Sequence, residues 1–177
     1  MTEMISTLLG GLNAADPSAA ATDYWMRVLP MHPKLVHIPI ALCIVMPMML
    51  TLVWMGIRRG WFTSRTWLLC AVLQGALFVS SVAALQSGKN DGDKVEGYAS
   101  EEALQTHANR ASWFVYIAGF NLALSSGVAL LPLARPRRQL LGAIAIAGSL
   151  GATYAGYLVG DAGGRLVYVA NASDAHK

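Results

Sequence analysis

The sequence has few charged residues: Asp, Glu, Lys and Arg make up 13% of its 177 residues, whereas a soluble domain carries about 25%. Four stretches contain none of them: 35–57, 66–85, 111–134 and 139–160. A helix of about 20 apolar residues crosses the hydrocarbon core of a bilayer. We therefore predict four membrane spans, which leave too few residues for a separate catalytic domain of about 100 residues or more.

The four apolar stretches also lack the alternating polar pattern of a membrane β-barrel strand. In lipid every backbone polar group must be satisfied internally, so these stretches are predicted to be α-helices. The predicted fold is an all-α membrane protein, a four-transmembrane-helix bundle. We expect residues 1–34 to form a periplasmic or interfacial segment, residues 35–160 the membrane domain and residues 161–177 a periplasmic tail.

Cysteine is scarce as well. Cys43 and Cys70 are the only two cysteines, and their positions in the first and second spans place them at depths that differ by roughly 10 Å. A disulfide is therefore not expected. The absence of a Cys-x-x-Cys-His motif excludes covalent attachment of haem.

Acidic residues are absent from the two short loops, which carry six arginines. These are Arg58, Arg59, Arg65, Arg135, Arg137 and Arg138. The positive-inside rule predicts that both loops are cytoplasmic, and that both termini lie on the periplasmic side of a bacterial inner membrane. All ten carboxylates then lie outside, where an acidic rim favours a basic soluble partner and argues against nucleic-acid binding. The chain start lacks a signal-peptide pattern, so residues 1–34 are expected to remain.

Histidines are few and lie at the predicted outer boundary. His37 follows the start of the first span, and His107 lies one turn before the third, on a helix predicted to begin after the N-cap Ser100. A b-type haem needs two imidazoles from facing helices, apolar walls and cations near its propionates. We predict His37 and His107 as axial ligands of one non-covalent haem b.

Four neighbouring residues complete this predicted site. Lys34 and Arg110 are expected near the propionates, while Trp113 and Phe114 are expected to form apolar walls. His32 lies between two prolines that are expected to keep the chain extended, so it is interpreted as a turn residue. A weaker alternative makes His32 a metal ligand, because methionine and histidine together suit copper.

Small residues at four-residue spacing mark helix contact faces in the third and fourth spans. The fourth span has Gly148, Ala152, Gly156 and Gly160 on one stripe. Either tight helix packing or a flat cofactor explains such a stripe. Gln74 and Asn121 fall at similar depth in the second and third spans, and they are expected to form a hydrogen-bonded pair.

Residues 32–42, His-Pro-Lys-Leu-Val-His-Ile-Pro-Ile-Ala-Leu, closely resemble the start of an uncharacterised bacterial four-helix membrane domain family. Thr106-His107-Ala108-Asn109 and the stretch 163–168, Gly-Gly-Arg-Leu-Val-Tyr, are similar to that family's other motifs. The resemblance covers roughly residues 31–169. Some family members are joined to Rieske iron–sulfur domains, so the resemblance implies a redox setting and the pairing of His37 with His107.

The sequence favours a b-type haem electron-transfer protein, a subunit of a larger membrane redox complex. Its expected partners are other membrane or periplasmic redox subunits, including a soluble cytochrome or an iron–sulfur protein. No bond-making catalysis is required of it. Two alternatives stay open: a cofactor-free scaffold whose glycine faces bind another membrane protein, and a small metal-handling protein that uses His32, His37 and His107.

Overall fold

The computed structural model describes residues 32–95 and 97–169, which are almost entirely helical. A one-turn helix leads into four long helices, and a 3-10 turn, Ser64–Thr66, precedes the second of these. In chain order the helices are α1 (His32–Leu35), α2 (His37–Arg58), α3 (Trp67–Val95), α4 (Glu101–Leu130) and α5 (Arg135–Tyr168). Helices α2 to α5 are long and apolar enough to cross a membrane. The predicted all-α architecture with four spans is confirmed at this level.

The four long helices form an up-and-down bundle. Each packs against its neighbour in the chain, and α2 also packs against α5, which closes the ring. The resulting core is made of apolar side chains from all four helices. Its most buried members are Met46, Leu50, Trp67, Cys70, Leu77, Ala118, Val128 and Ala152. The arrangement brings the starts of α2 and α4 to the same end as the final turns of α3 and α5.

The helices are longer than the predicted spans at that end. Helix α3 continues past the predicted limit at residue 85, and α5 continues through residues 161–168, the first part of the predicted tail. Polar residues do not stop a helix outside lipid, because water satisfies their side chains while the backbone bonds continue. Helix α4 instead ends before the predicted residue 134, at Leu130, because Pro132 disfavours helical geometry in the residue before it.

The opposite end of the bundle, which we call the arginine end, contains the α2–α3 and α4–α5 connections with the six arginines named above. Helix α2 stops there in a Schellman motif. The N–H of Trp61 donates to the carbonyl of Gly56 at 2.8 Å, and Gly60 adopts a φ of 80° that glycine tolerates without strain. The Trp67 side chain is buried, with 1% of its surface exposed.

The other end, which we call the histidine end, contains the start of α4. The Ser100 hydroxyl accepts a hydrogen bond from the backbone N–H of Ala103 at 3.3 Å, and two glutamates occupy the first turn. Negative charge there stabilises the positive end of the helix dipole. The predicted N-cap and the continuous helix that carries His107 are confirmed.

The polar residues predicted in the core are buried, but they do not pair with each other as expected. The amide nitrogen of Gln74 donates to the carbonyl of Ala118 at 3.4 Å. The Asn121 amide has no hydrogen-bond partner among the described residues, and it faces Gly148, where an added Cβ would lie 2.7 Å from its Oδ1. The Gln74 amide therefore bonds to the backbone of α4 at Ala118, one helical turn before Asn121.

Both cysteines are buried and free, as predicted. Most of the predicted 1–34 segment and the last part of the predicted tail, residues 170–177, lie outside the described residues.

Candidate functional site

Two imidazoles from different helices meet at the histidine end. The rings of His32, on α1, and His107, on α4, have centroids 6.1 Å apart and planes inclined at 85°. Both side chains are half-buried. This pair is the densest meeting of metal-ligating groups among the described residues, so it forms the centre of the candidate site.

The His32 ring is held by the backbone of α3. Its Nδ1 lies 2.9 Å from the carbonyl oxygen of Ala84 and 3.1 Å from the Ser87 hydroxyl. A carbonyl oxygen only accepts hydrogen bonds, so the 2.9 Å contact places the proton on Nδ1. In the neutral ring the lone pair of Nε2 is then available, which is the arrangement found in metal-binding histidines whose other nitrogen donates to the backbone.

Each imidazole lies against a glycine of a neighbouring helix. A Cβ atom on Gly88 of α3 would lie 2.9 Å from Cε1 of His32, and one on Gly163 of α5 would lie 3.1 Å from Cε1 of His107. Real Cβ atoms rarely come this close to another atom. The two rings therefore occupy space that is open because Gly88 and Gly163 have no side chain. The Nδ1 of His107 is buried and has no hydrogen-bond partner among the described residues.

His37 lies elsewhere on the helix surface. It is exposed, and no ring contact between it and His107 occurs within the described part of the chain. The five-residue spacing from His32 to His37 corresponds to a rotation of about 140° at 3.6 residues per turn. The two side chains therefore leave the helix in different directions, and the structure brings His107 together with His32. The pairing of His37 with His107 stays a prediction.

The remaining predicted site residues fall into two groups. Phe114 is buried, and it lies two turns below His107 on the same face of α4, where it can form an apolar wall. The Arg110 guanidinium donates to the carbonyl of Leu158 at 3.0 Å and pairs with Asp161 at 3.5 Å. Arg110 therefore ties α4 to α5 next to the imidazoles.

Trp113 and Lys34 point away from the imidazole pair. The Trp113 side chain is 67% exposed and contacts the ring of Tyr116 at 6.0 Å, a position that suits contact with lipid. Lys34 is also exposed. Neither of them lines the space around the two imidazoles.

The chain is helical at His32, and the prediction of an extended chain there was wrong. Residues 32–35 form α1, because a proline is tolerated in the first turn of a helix, where its missing N–H has no intrahelical partner. This turn points the His32 ring toward α3. Sequence reasoning gave His32 a minor role, and it missed Ser87, Gly88 and Gly163 as neighbours of the rings. Of these, Gly163 lies in the glycine motif quoted above.

One family match places the chain among known proteins. The family described as "Predicted membrane protein (DUF2231)" matches residues 28–175. The chain belongs to this family. That description supports the membrane location of the DUF2231 bundle and states no activity. Curated proteins and solved structures gave no match.

The donor set at the histidine end is small. Among residues 32–95 and 97–169, no group of three or more His, Cys, Asp or Glu side chains is arranged to hold a metal ion. Structural zinc sites use four protein ligands, and catalytic zinc sites use three. Haem iron, in contrast, is already held by the porphyrin and takes only axial ligands from the protein. Two imidazoles on neighbouring helices match the number of protein ligands that a bis-histidine haem takes.

Proposed function

We propose that this DUF2231 protein is a membrane-bound b-type haem electron-transfer protein whose axial ligands are His32 and His107. The observation that carries the proposal is the imidazole pair with centroids 6.1 Å apart. The pair would supply two imidazoles from neighbouring helices, which is the number of protein ligands that a bis-histidine b-type haem takes. The hydrogen bond from His32 Nδ1 to Ala84 leaves Nε2 free, and this is the nitrogen that would bind the iron.

The surroundings of the pair support the same proposal. Phe114 is buried on the His107 face of α4, and the glycines at 88 and 163 let flat groups approach the helix backbones. Arg110 supplies a cation close by, although it also pairs with Asp161. When bound, haem would supply one-electron redox chemistry, while the chain would fix its position and shape its potential through burial and the Ala84 hydrogen bond.

The charge distribution supports an orientation for this electron carrier. The arginine end would face the cytoplasm by the positive-inside rule, and the histidine end would then face the periplasm with both termini. A haem there would exchange electrons with a periplasmic cytochrome or iron–sulfur protein, as one subunit of a redox complex in the bacterial inner membrane. The carboxylates at this end favour a partner with a basic docking face.

The test is a reduced-minus-oxidised absorption spectrum of the protein purified in detergent from cells with ample haem supply. We expect a b-type band that is lost in His32→Ala and in His107→Ala and kept in His37→Ala, the matched control. Retention in His32→Ala with loss in His37→Ala would instead establish the pairing predicted from sequence. Electron paramagnetic resonance adds a geometric check, because perpendicular imidazole planes bring two iron d orbitals close in energy and give a strongly anisotropic low-spin ferric signal.

Two other outcomes would overturn the proposal. Folded, colourless protein that takes up no haem on reconstitution would favour a cofactor-free scaffold. Stoichiometric copper or zinc in place of haem, lost in both His32→Ala and His107→Ala, would favour a metal-handling protein.

A further inference from the structure

The arginine end contains an open groove next to the membrane-spanning part of α2. The groove has a volume of about 410 Å³ and is lined by Trp54, Met55, Arg58 and Arg59. Its lining is half apolar and half cationic. The Arg58 guanidinium lies 4.7 Å from the centre of the Trp54 ring, a cation–π contact that keeps the charge at the edge of the apolar surface.

A second, smaller cavity lies on the other side of the same tryptophan. It holds about 30 Å³, room for one water, and Arg135, Arg138 and Gln139 contribute to its lining. The Trp54 ring nitrogen donates to the carbonyl of Gln139 at 3.0 Å, which joins α2 to the first turns of α5. The Nε of Arg138 is buried and has no hydrogen-bond partner among the described residues.

Among the residues that the structure describes, no carboxylate pairs with the arginines at this end. Neither arginine loop contains Asp or Glu, and Asp91 and Asp161 contact residues of the histidine end. In the described part of the chain none of the six arginines takes part in an ion pair; the two recorded ion pairs involve Arg110 and Arg165. The N-terminus of the long helix α5 adds the positive end of its dipole to the same region.

We propose that the groove binds an anionic phospholipid, with its headgroup phosphate at Arg58 and Arg59 and its acyl chains along Met55 and α2. The phosphate supplies the negative charge that the protein lacks there, and arginine matches phosphate oxygens with paired N–H donors. The apolar half of the lining selects a lipid over a soluble phosphate compound. Basic pockets between spanning helices on the cytoplasmic side bind acidic lipid headgroups in this way.

The experiment measures tryptophan quenching in the full chain, reconstituted with brominated phosphatidylglycerol or brominated phosphatidylcholine at equal total lipid. The wild type is expected to prefer phosphatidylglycerol. Arg58→Gln and Arg59→Gln are each expected to lower that preference about five-fold, because a basic residue near an anionic headgroup contributes binding energy of that order. Arg137→Gln is the matched control: it removes the same charge from the same end, but Arg137 lines neither the groove nor the cavity.

Three results would overturn the assignment. Equal binding of the two lipids by the wild type means that no acidic-lipid site exists. An equal loss in Arg137→Gln and Arg58→Gln means that diffuse charge, and no groove, sets the preference. Full competition by inorganic phosphate in the millimolar range means that the site takes a free anion.

Discussion

The two ends of the bundle are built from different kinds of contact. At the arginine end, Trp67 is buried and Trp54 donates a hydrogen bond to α5. At the histidine end, His32 and His107 are only half-buried, and each lies against a glycine. The first end holds helices together by filling space, while the second positions the ring nitrogens of two half-buried imidazoles. Substitutions at the arginine end should therefore reduce the free energy of unfolding, and those at the histidine end should mainly affect ligand binding.

The largest stability effect is expected for Trp67→Ala. The side chain is 1% exposed, so its removal leaves a cavity that the surrounding helices fill only in part. We expect a loss of about 3–5 kcal/mol in the free energy of unfolding, measured by denaturation in detergent micelles. Trp61→Ala is the control, because Trp61 is 63% exposed. Equal losses in the two variants would remove the distinction between the ends.

A smaller effect is expected for Gly142→Ala. A Cβ there would lie 2.8 Å from atoms of both Trp54 and Trp67, so both indole rings would have to shift. We expect a destabilisation of about 1–3 kcal/mol from overpacking, read from the same denaturation curve. Gly151→Ala, where no atom lies within 4 Å of the added Cβ, should be neutral or slightly stabilising because alanine favours helix. A neutral Gly142→Ala would show that the packing at this end is loose.

The hydrogen bond across α2 and α5 is expected to contribute less. The Thr153 hydroxyl donates to the carbonyl of Cys43 at 2.6 Å and also contacts the carbonyl of Ser149. Interhelical hydrogen bonds in membrane proteins contribute about 0.6 kcal/mol on average, which is the loss expected for Thr153→Val. Ser112→Ala removes a bond within one helix only and should change the melting temperature less. The reverse order would mean that this bond does not link the helices.

The smallest change in stability, with a large change in ligand binding, is expected for Gly163→Val. The added side chain displaces the His107 ring, which is half-buried and can turn. We expect a change of about 0.5 kcal/mol or less in unfolding free energy and, under the proposed function, a lower haem-to-protein absorbance ratio than in the wild type. Gly164→Val is the matched control, since nothing lies within 4 Å of a Cβ at Gly164. Equal haem contents in the two variants would contradict a role for Gly163 in placing the ring.

The sequence was sufficient to predict the helices because membrane spans depend on composition alone. The count of four, the N-cap at Ser100 and the free cysteines follow from local rules that the bundle does not alter. The helix ends were predicted less well: α3 and α5 continue past the predicted spans through polar residues, whose positions hydropathy does not assign to a helix. Hydropathy predicts which residues lie in lipid, whereas capping residues and prolines determine where a helix ends.

The pairing of side chains was harder to predict, because it depends on the rotation of each helix about its axis. His32 and His37 are both near the same boundary, and a single turn that accommodates Pro33 decides which of them points toward α3. In the same way, Gln74 reached a carbonyl of α4 and not the Asn121 amide. The depth of a residue along a helix can be predicted from sequence. The direction in which its side chain points around the helix axis cannot, because that depends on how the neighbouring helices pack.

The length of α5 has one more consequence. Its 34 residues extend for about 51 Å, while a bilayer with its headgroups measures about 40–45 Å. If the helix crosses near the bilayer normal, one to two turns stand clear of the lipid headgroups, and Asp161 and Gly163 belong to the part nearest that surface. A protein diffusing above the membrane would then meet a raised helical rim before it meets phospholipid, so encounter with this site needs no opening of the bilayer.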